Sequence, residues 1–137
     1  MRTIEHWIDG SPRVGESSQR ATVWNPATGQ AQAEVVLGTP ADVGAAVQAA
    51  STAFESWSES SLSTRTQVLF AFRELLNSGM DEVAEAISDE HGKVVSDARG
   101  EVQRGLEAVE FACGIPQLLK GEYSDQVSTG VDVFSFR

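Results

Sequence analysis

The spacing of apolar and polar residues changes twice along the chain. Up to about residue 38 the apolar residues come in short runs divided by turn signals. IEHWID (4–9) is apolar at Ile4 and Ile8, with Trp7 interrupting a strict alternation. Asp9-Gly10 follows as a hairpin turn signal. A second strand, ATVWN, ends at Asn25-Pro26-Ala27-Thr28-Gly29, where proline fixes φ and glycine permits a positive φ. A third, AEVVL, covers 33–37. These runs predict an antiparallel strand meander over 1–38.

From Thr39 the apolar spacing becomes helical. Thr39 can cap, Pro40 suits the first helical position, and Asp42 can reach back as a short form of the capping box. Val43, Val47, Ala50, Phe54 and Trp57 then follow at three- and four-residue steps, the spacing of one helical stripe. The serine-rich SESSLS (58–63) is a connector. A second helix starts near Ser63 or Thr64, with Val68, Leu69, Phe72, Leu75 and Leu76 expected to face inward. Asn77-Ser78-Gly79 interrupts it, and a further helix carries Val83, Ala84 and Ile87 to His91-Gly92, where Gly92 suits the left-handed position that ends many helices. The next helix starts near Ser96 and aligns Val102, Leu106, Val109 and Cys113.

Beyond Gly121 the spacing alternates again. In VDVFSFR (131–137), Val131, Val133 and Ser135 share one face, while Asp132, Phe134 and Phe136 share the other. The pattern predicts an α+β fold: N-terminal antiparallel strands, three to four helices over 39–121, and a terminal strand within 122–137. An apolar strand with an open edge invites pairing, so the expectation is a portion of a larger protein.

Charge removes several partner classes. Twenty acidic residues against ten basic give a net charge of −10, which repels phosphate backbones and anionic lipid. No nucleic-acid or membrane partner is expected. Between Glu74 and Glu110 stand ten acids and three bases, Lys93, Arg99 and Arg104; solvated helix faces are the plain reading of such a run. The N-terminal MRTIEHWIDG is too polar for a signal peptide, and no apolar run approaches a membrane span. A soluble, cytoplasmic protein is the expectation.

Candidate chemistry is sparse. Cys113 is the single cysteine, and His6 and His91 stand far apart, so neither a disulfide framework nor a metal-ligand spacing exists. Cys113 falls on an apolar stripe late in its helix, a place for packing; a nucleophilic thiolate needs a nearby cation or a helix N-terminus. Gly100 and Gly105 are spaced like a phosphate loop but lack its Lys-Ser or Lys-Thr and an entering strand. His91 reads as a helix-end residue, with Lys93 expected to favour the helix C-terminus. The three tryptophans read as core or subunit-interface aromatics. Arg104 lies opposite the Val102, Leu106 and Val109 stripe, two turns before Phe111 on the same face. A guanidinium there can hold a planar carboxylate through two parallel charge-assisted bonds. It can equally pair with Glu101 or Glu107 on its own helix.

Several segments carry a family resemblance. WNPATGQ (24–30), TPADVGAAVQAASTAFESW (39–57), RTQVLFAFRELL (65–76) and EHGK (90–93) resemble the opening of an aldehyde dehydrogenase. DARGEVQRGLEAVEFACGIPQLLKGE (97–122) resembles the CoA-acylating methylmalonate-semialdehyde dehydrogenases, as does the pattern G-E-V-x-R-G followed by V-E-F-A. VDVFSFR resembles the strand before the family's nucleotide-binding core.

The resemblance covers essentially the whole chain. It implies the N-terminal portion of the aldehyde dehydrogenase fold, without the complete nucleotide-binding domain. In that family a thiolate attacks the semialdehyde, hydride passes to NAD, carbon dioxide or bicarbonate is lost, and CoA takes the acyl group. The family's nucleophilic cysteine and cofactor site belong to segments past Arg137, so no catalytic, cofactor-binding or metal-binding residue is assigned to this chain. Arg104, as the arginine of G-E-V-x-R-G, is implied as one of two arginines holding the distal carboxylate of the substrate. The implied partners are the rest of the parent enzyme and further copies in a homo-oligomer, usually a tetramer. A stand-alone acidic interaction domain without catalysis is the alternative.

Overall fold

The computed structural model describes all residues, Met1–Arg137. Its elements run β1 (Arg2–Ile4), β2 (His6–Ile8), β3 (Ser11–Arg13), β4 (Arg20–Asn25), β5 (Gln30–Val36), α1 (Pro40–Trp57), α2 (Leu62–Ser78), α3 (Met80–His91), α4 (Val95–Ala112), α5 (Ile115–Leu118), β6 (Tyr123–Ser128) and β7 (Val131–Phe134). This is the expected α+β chain, with its contacts gathered into two units. Residues 1–60 and 80–102 form the first, and 61–79 and 103–137 the second.

In the first unit, Asp9 and Gly10 both take positive φ, 55° and 70°. That twist closes the two-residue hairpin of β2 on β3, pairing His6 with Arg13 and Ile8 with Ser11. The expected single strand over 4–9 is instead two. β1 runs parallel to β5, pairing Arg2 with Ala33 and Ile4 with Val35, while β4 pairs antiparallel on the other side of β5. The sheet order is therefore β1-β5-β4, with the β2–β3 hairpin separate, and not a meander. The division falls at Glu5, between β1 and β2: one short run cannot follow β5 and also fold back at Asp9-Gly10.

The turn between β4 and β5 is built as its residues suggest. The Asn25 side chain accepts from the Ala27 and Thr28 amides, and Gly29 takes φ 69°. Gly92, at φ 81°, ends α3 against that turn: a Cβ on Gly92 would lie 2.8 Å from Pro26 Cγ. The NPATG and EHG segments thus meet, and only glycine allows both the left-handed backbone and the contact.

Helix α1 carries the predicted capping box. Thr39 accepts from the Asp42 amide, and Asp42 accepts from the Thr39 amide. The large residues of its apolar stripe face out: Val43, Val47, Phe54 and Trp57 are 60%, 59%, 64% and 43% exposed. The side turned to β2 is instead the alanine side, where Ala46 and Ala49 share a groove with Ile8. Trp7 and Trp24 are also exposed, which removes the core reading of all three tryptophans within this chain. What is buried in the first unit is small: Ala33, Val36, Ala84, Ala98 and Val102.

In the second unit, α2 packs against α5. The partly covered positions of α2 are Leu62, Arg65, Thr66, Leu69, Arg73 and Leu76, while Val68, Phe72 and Leu75 are exposed. Leu69 and Leu76 fit the sequence reading, and the other three members of that stripe do not. The terminal strand is the second arm of a hairpin. Tyr123 stacks on Phe134 at 4.7 Å between ring centroids, and the Ser135 amide donates to the Glu122 carbonyl. A side chain on Gly121 would overlap the Ser135 backbone, so the chain crosses itself there with no room to spare. No helix is long and apolar enough to cross a membrane.

Candidate functional site

Helix α4 is the element on which the sequence reading converges, and its periodicity holds. Ala98, Val102 and Leu106 are buried at four-residue steps, and Val109 and Cys113 continue the stripe half-buried. At 100° per residue, Arg104 and Phe111 fall on the opposite side, and both are exposed. Helical side chains lean toward the preceding turn, so Arg104 extends over the level of Gly100 and Glu101. Gly105 beside it is open, with nothing near the position of an added Cβ.

The approach to that turn is pinned from the first unit. Lys93 forms an ion pair with Glu101, and the Ser88 hydroxyl donates to the Lys93 carbonyl at 2.6 Å. The Lys93 amine therefore engages α4 and does not rest on the C-terminus of α3, as its sequence position suggested. Arg99 pairs with Asp81. His91 is the exposed last residue of α3, as a helix-end residue should be.

In the second unit, Cys113 lines a 460 Å³ groove with Phe70, Arg73, Glu74 and Glu110. Arg73 donates through Nε and Nη2 to Glu110 Oε1 at 3.0 and 2.7 Å and pairs with Glu74 at 3.3 Å. The bond to Glu110 is the main cause that raises the Arg73 pKa above its ordinary value. The cation in the groove is thus already bound to carboxylates.

Another cluster escaped the sequence reading. Asp42, 9% exposed, accepts at Oδ2 from the Thr39 amide and hydroxyl, both at 2.8 Å. At Oδ1 it accepts from the Glu16 amide at 3.1 Å. His6 lies alongside, its Nε2 buried without a partner and its ring against Gly15 and Gly38. The capping signature was legible, but the tie to Glu16 spans 26 residues and left no local signal. A cavity of 680 Å³ opens beside this cluster between Val14, Arg13, Ala45 and Gln48. None of the residues singled out from the sequence for chemistry lines it.

The Thr39 backbone and side-chain bonds hold the Asp42 carboxyl below its ordinary value of 3.8, against the opposing effect of burial and with help from Glu16 and His6. A depressed carboxyl stabilises the fold above its unfolded pKa, and that stabilisation is lost as pH falls through the lower, folded value. Acidification below about pH 4 should therefore release the 14–19 loop from α1 before neutral-pH conditions show any loss. Hydrogen exchange at the Glu16 amide checks this, and Asp42→Asn should be loosened already at pH 7.

Comparison with known proteins gives this geometry a family. The model of the Aldehyde dehydrogenase family matches residues 14–137, and the chain belongs to that family. It is 42% identical, over its entire length, to 28% of a malonate-semialdehyde dehydrogenase from Bacillus pumilus. A Pseudomonas aeruginosa malonate-semialdehyde dehydrogenase is 41% identical over 135 residues, 98% of this chain and 27% of that protein. Among solved structures, methylmalonate-semialdehyde dehydrogenase from Oceanimonas doudoroffii superposes with a TM-score of 0.90 at 44% identity, covering 99% of this chain and 28% of the other. A Sinorhizobium meliloti 1021 structure, assigned the same activity and complexed with NAD, gives 0.91 at 42% identity, covering 100% and 28%. The fold is that of the N-terminal part of an aldehyde dehydrogenase, and the chain spans a little over a quarter of these relatives' length.

Proposed function

We propose that this chain serves as the N-terminal portion of an NAD-dependent, CoA-acylating dehydrogenase of methylmalonate or malonate semialdehyde, in which Arg104 holds the distal carboxylate of the substrate. The supporting observation is similarity along this whole chain to about 28% of semialdehyde dehydrogenases of that substrate class, joined to an exposed arginine on the side of α4 opposite its buried stripe. A carboxylated semialdehyde needs a fixed cation away from the reacting carbonyl, and a guanidinium supplies it in bidentate form.

NAD does not fit the residues of this chain. The strand-to-helix junction β5–α1 is the place where a pyrophosphate would meet a helix N-terminus. There the Asp42 amide is taken by Thr39, and the Asp42 carboxylate itself occupies the first turn, opposing an anion. Gly100 and Gly105 lie inside α4 and form no loop. NAD, CoA and the nucleophilic cysteine therefore belong to the remainder of the enzyme, and Cys113 packs. In the whole protein the exposed face of α1 lies against that remainder, the active form is a cytoplasmic homo-oligomer, and the 137-residue chain alone neither turns over aldehyde nor retains NAD.

The direct test compares this chain with a version extended to the length of its relatives, each supplied with methylmalonate semialdehyde, NAD and CoA. NADH and acyl-CoA should form only with the extended protein. Turnover by the 137-residue chain would sink the assignment. A monodisperse short chain, with an extended gene product that has no activity, would favour a stand-alone interaction domain.

A further inference from the structure

We propose that residues 6–18, the β2–β3 hairpin and the strap that follows it, form a flap that swings off α1 as one piece and is held shut by a single clasp, the Glu16 amide on the Asp42 carboxylate. Both ends of the flap are fixed. On one side β1 is laddered to β5 as far as Ile4 opposite Val35, and Glu5 follows as an exposed residue outside either strand. On the other side the Leu37 amide donates to the Gln19 carbonyl at 3.2 Å, and the β4 ladder begins with Arg20 opposite Val36. Between these hinges the hairpin joins no larger sheet, and a two-stranded hairpin by itself is marginal in water.

Little else fastens the flap. Beyond the bonds that Gln19 and Arg20 make to Ser17 at the hinge, residues 6–18 make one hydrogen bond to the rest of their unit, from the Glu16 amide to Asp42 Oδ1 at 3.1 Å. His6 Nε2 is buried without a partner and adds no polar tie. Apolar cover is thin: Ile8 shares its groove with the small side chains of Ala46 and Ala49, and Trp7 and Val14 are 72% and 55% exposed. The clasp is the strong element. Thr39 fills Oδ2 with its amide and hydroxyl, which leaves Oδ1 to the flap, and a carboxylate accepting a backbone N–H makes a charge-assisted bond. Gly15 lets the strap come so close: its φ is 75°, and an added Cβ would lie 2.9 Å from His6 Cδ2 and 3.3 Å from Asp42 Oδ1. The flap, through Ile8, Arg13 and Val14, and α1, through Ala45 and Gln48, face each other across the 680 Å³ cavity, so release of the clasp parts its walls. Segments with few buried apolar contacts open locally, ahead of global unfolding.

The test follows trypsin cleavage after Arg13, read by mass, in the protein extended to the length of its relatives. Arg99, inside α4 and in the same unit, is the reference site. Cleavage tracks the population of the open form when opening and closing are fast, and the Arg13–Val14 bond lies where the strap begins. Cleavage there should precede cleavage after Arg99, yet run slower than in a free peptide of the same sequence. Asp42→Asn, which discharges the clasp, should speed cleavage after Arg13 about tenfold, the scale of one hydrogen bond to a charged group, and leave cleavage after Arg99 unchanged. Asp42 also caps α1, so Gly15→Ala is the second variant. It leaves that cap in place, lifts the strap through the His6 ring and the positive φ, and should give the same selective gain. Equal acceleration at both sites would report a global loss of stability and overturn the flap. A rate after Arg13 that neither variant changes, or one already equal to the free peptide's, would overturn it as well. Should Asp42→Asn fail to fold, Gly15→Ala decides alone.

Discussion

If Arg104 holds the substrate as proposed, replacing it by alanine in the extended enzyme should raise KM for a semialdehyde with a distal carboxylate about 100-fold relative to a plain aldehyde. Two charge-assisted hydrogen bonds of about 1.5–3 kcal/mol each, not fully additive, set that scale. The effect should fall in KM and kcat/KM more than in kcat, because a distal carboxylate held in this way would be bound equally in ground and transition states. Arg104→Lys should recover only part of the loss: an ammonium keeps the charge and loses the fork. Steady-state kinetics on the two aldehydes, with both variants, checks it. An equal loss for both substrates would assign Arg104 a structural part in α4.

Truncating Phe54 and Trp57 to alanine should be nearly neutral in the short chain and strongly destabilising in the extended protein. In the 137-residue chain both side chains are exposed, and surface substitutions stay within about 0.5 kcal/mol. If the remainder of the enzyme covers the outer face of α1, each truncation there costs about 3–5 kcal/mol, the cost of emptying a large apolar site. Urea midpoints of the two proteins, with and without the substitutions, give the answer. Equal, small effects in both would show that the stripe is uncovered in the extended protein as well. The same exposed stripe should make the short chain bind hydrophobic dyes strongly, since Val43 and Val47 extend it along the helix.

The contrast between α1 and α4 shows why one apolar stripe is covered within this chain and the other is not. Both have apolar residues at helical steps. In α4 the stripe Val102, Leu106 and Val109 turns inward within this chain; in α1 the larger residues turn outward and alanines face β2. Periodicity identifies which side chains share a face, but the covering surface is a property of whatever packs there. The same limit explains Val68, Phe72 and Leu75 on α2. It does not apply to turns and caps, whose partners lie within a few residues. Asp9-Gly10, Asn25 to Gly29, and Thr39 with Asp42 all formed as read.

The candidate site divides along the same line. That Arg104 is opposite the buried stripe of α4 follows from helix geometry and the identities of Val102 and Leu106, and needs no partner. That Lys93 reaches Glu101, and that Asp42 binds the Glu16 amide, required the backbone to bring separate segments together. The helices, their ends, the tight turns, the acidic charge and the family were all legible from the chain, because each is set by local chemistry or by an ordered series of motifs. Long-range packing sets that β1 runs parallel to β5, which apolar faces are left open, and which carboxylates Arg73 and Lys93 engage. Those outcomes rest on contacts between residues far apart in the chain, where hydrogen-bonding groups and charges must find partners that no local pattern specifies.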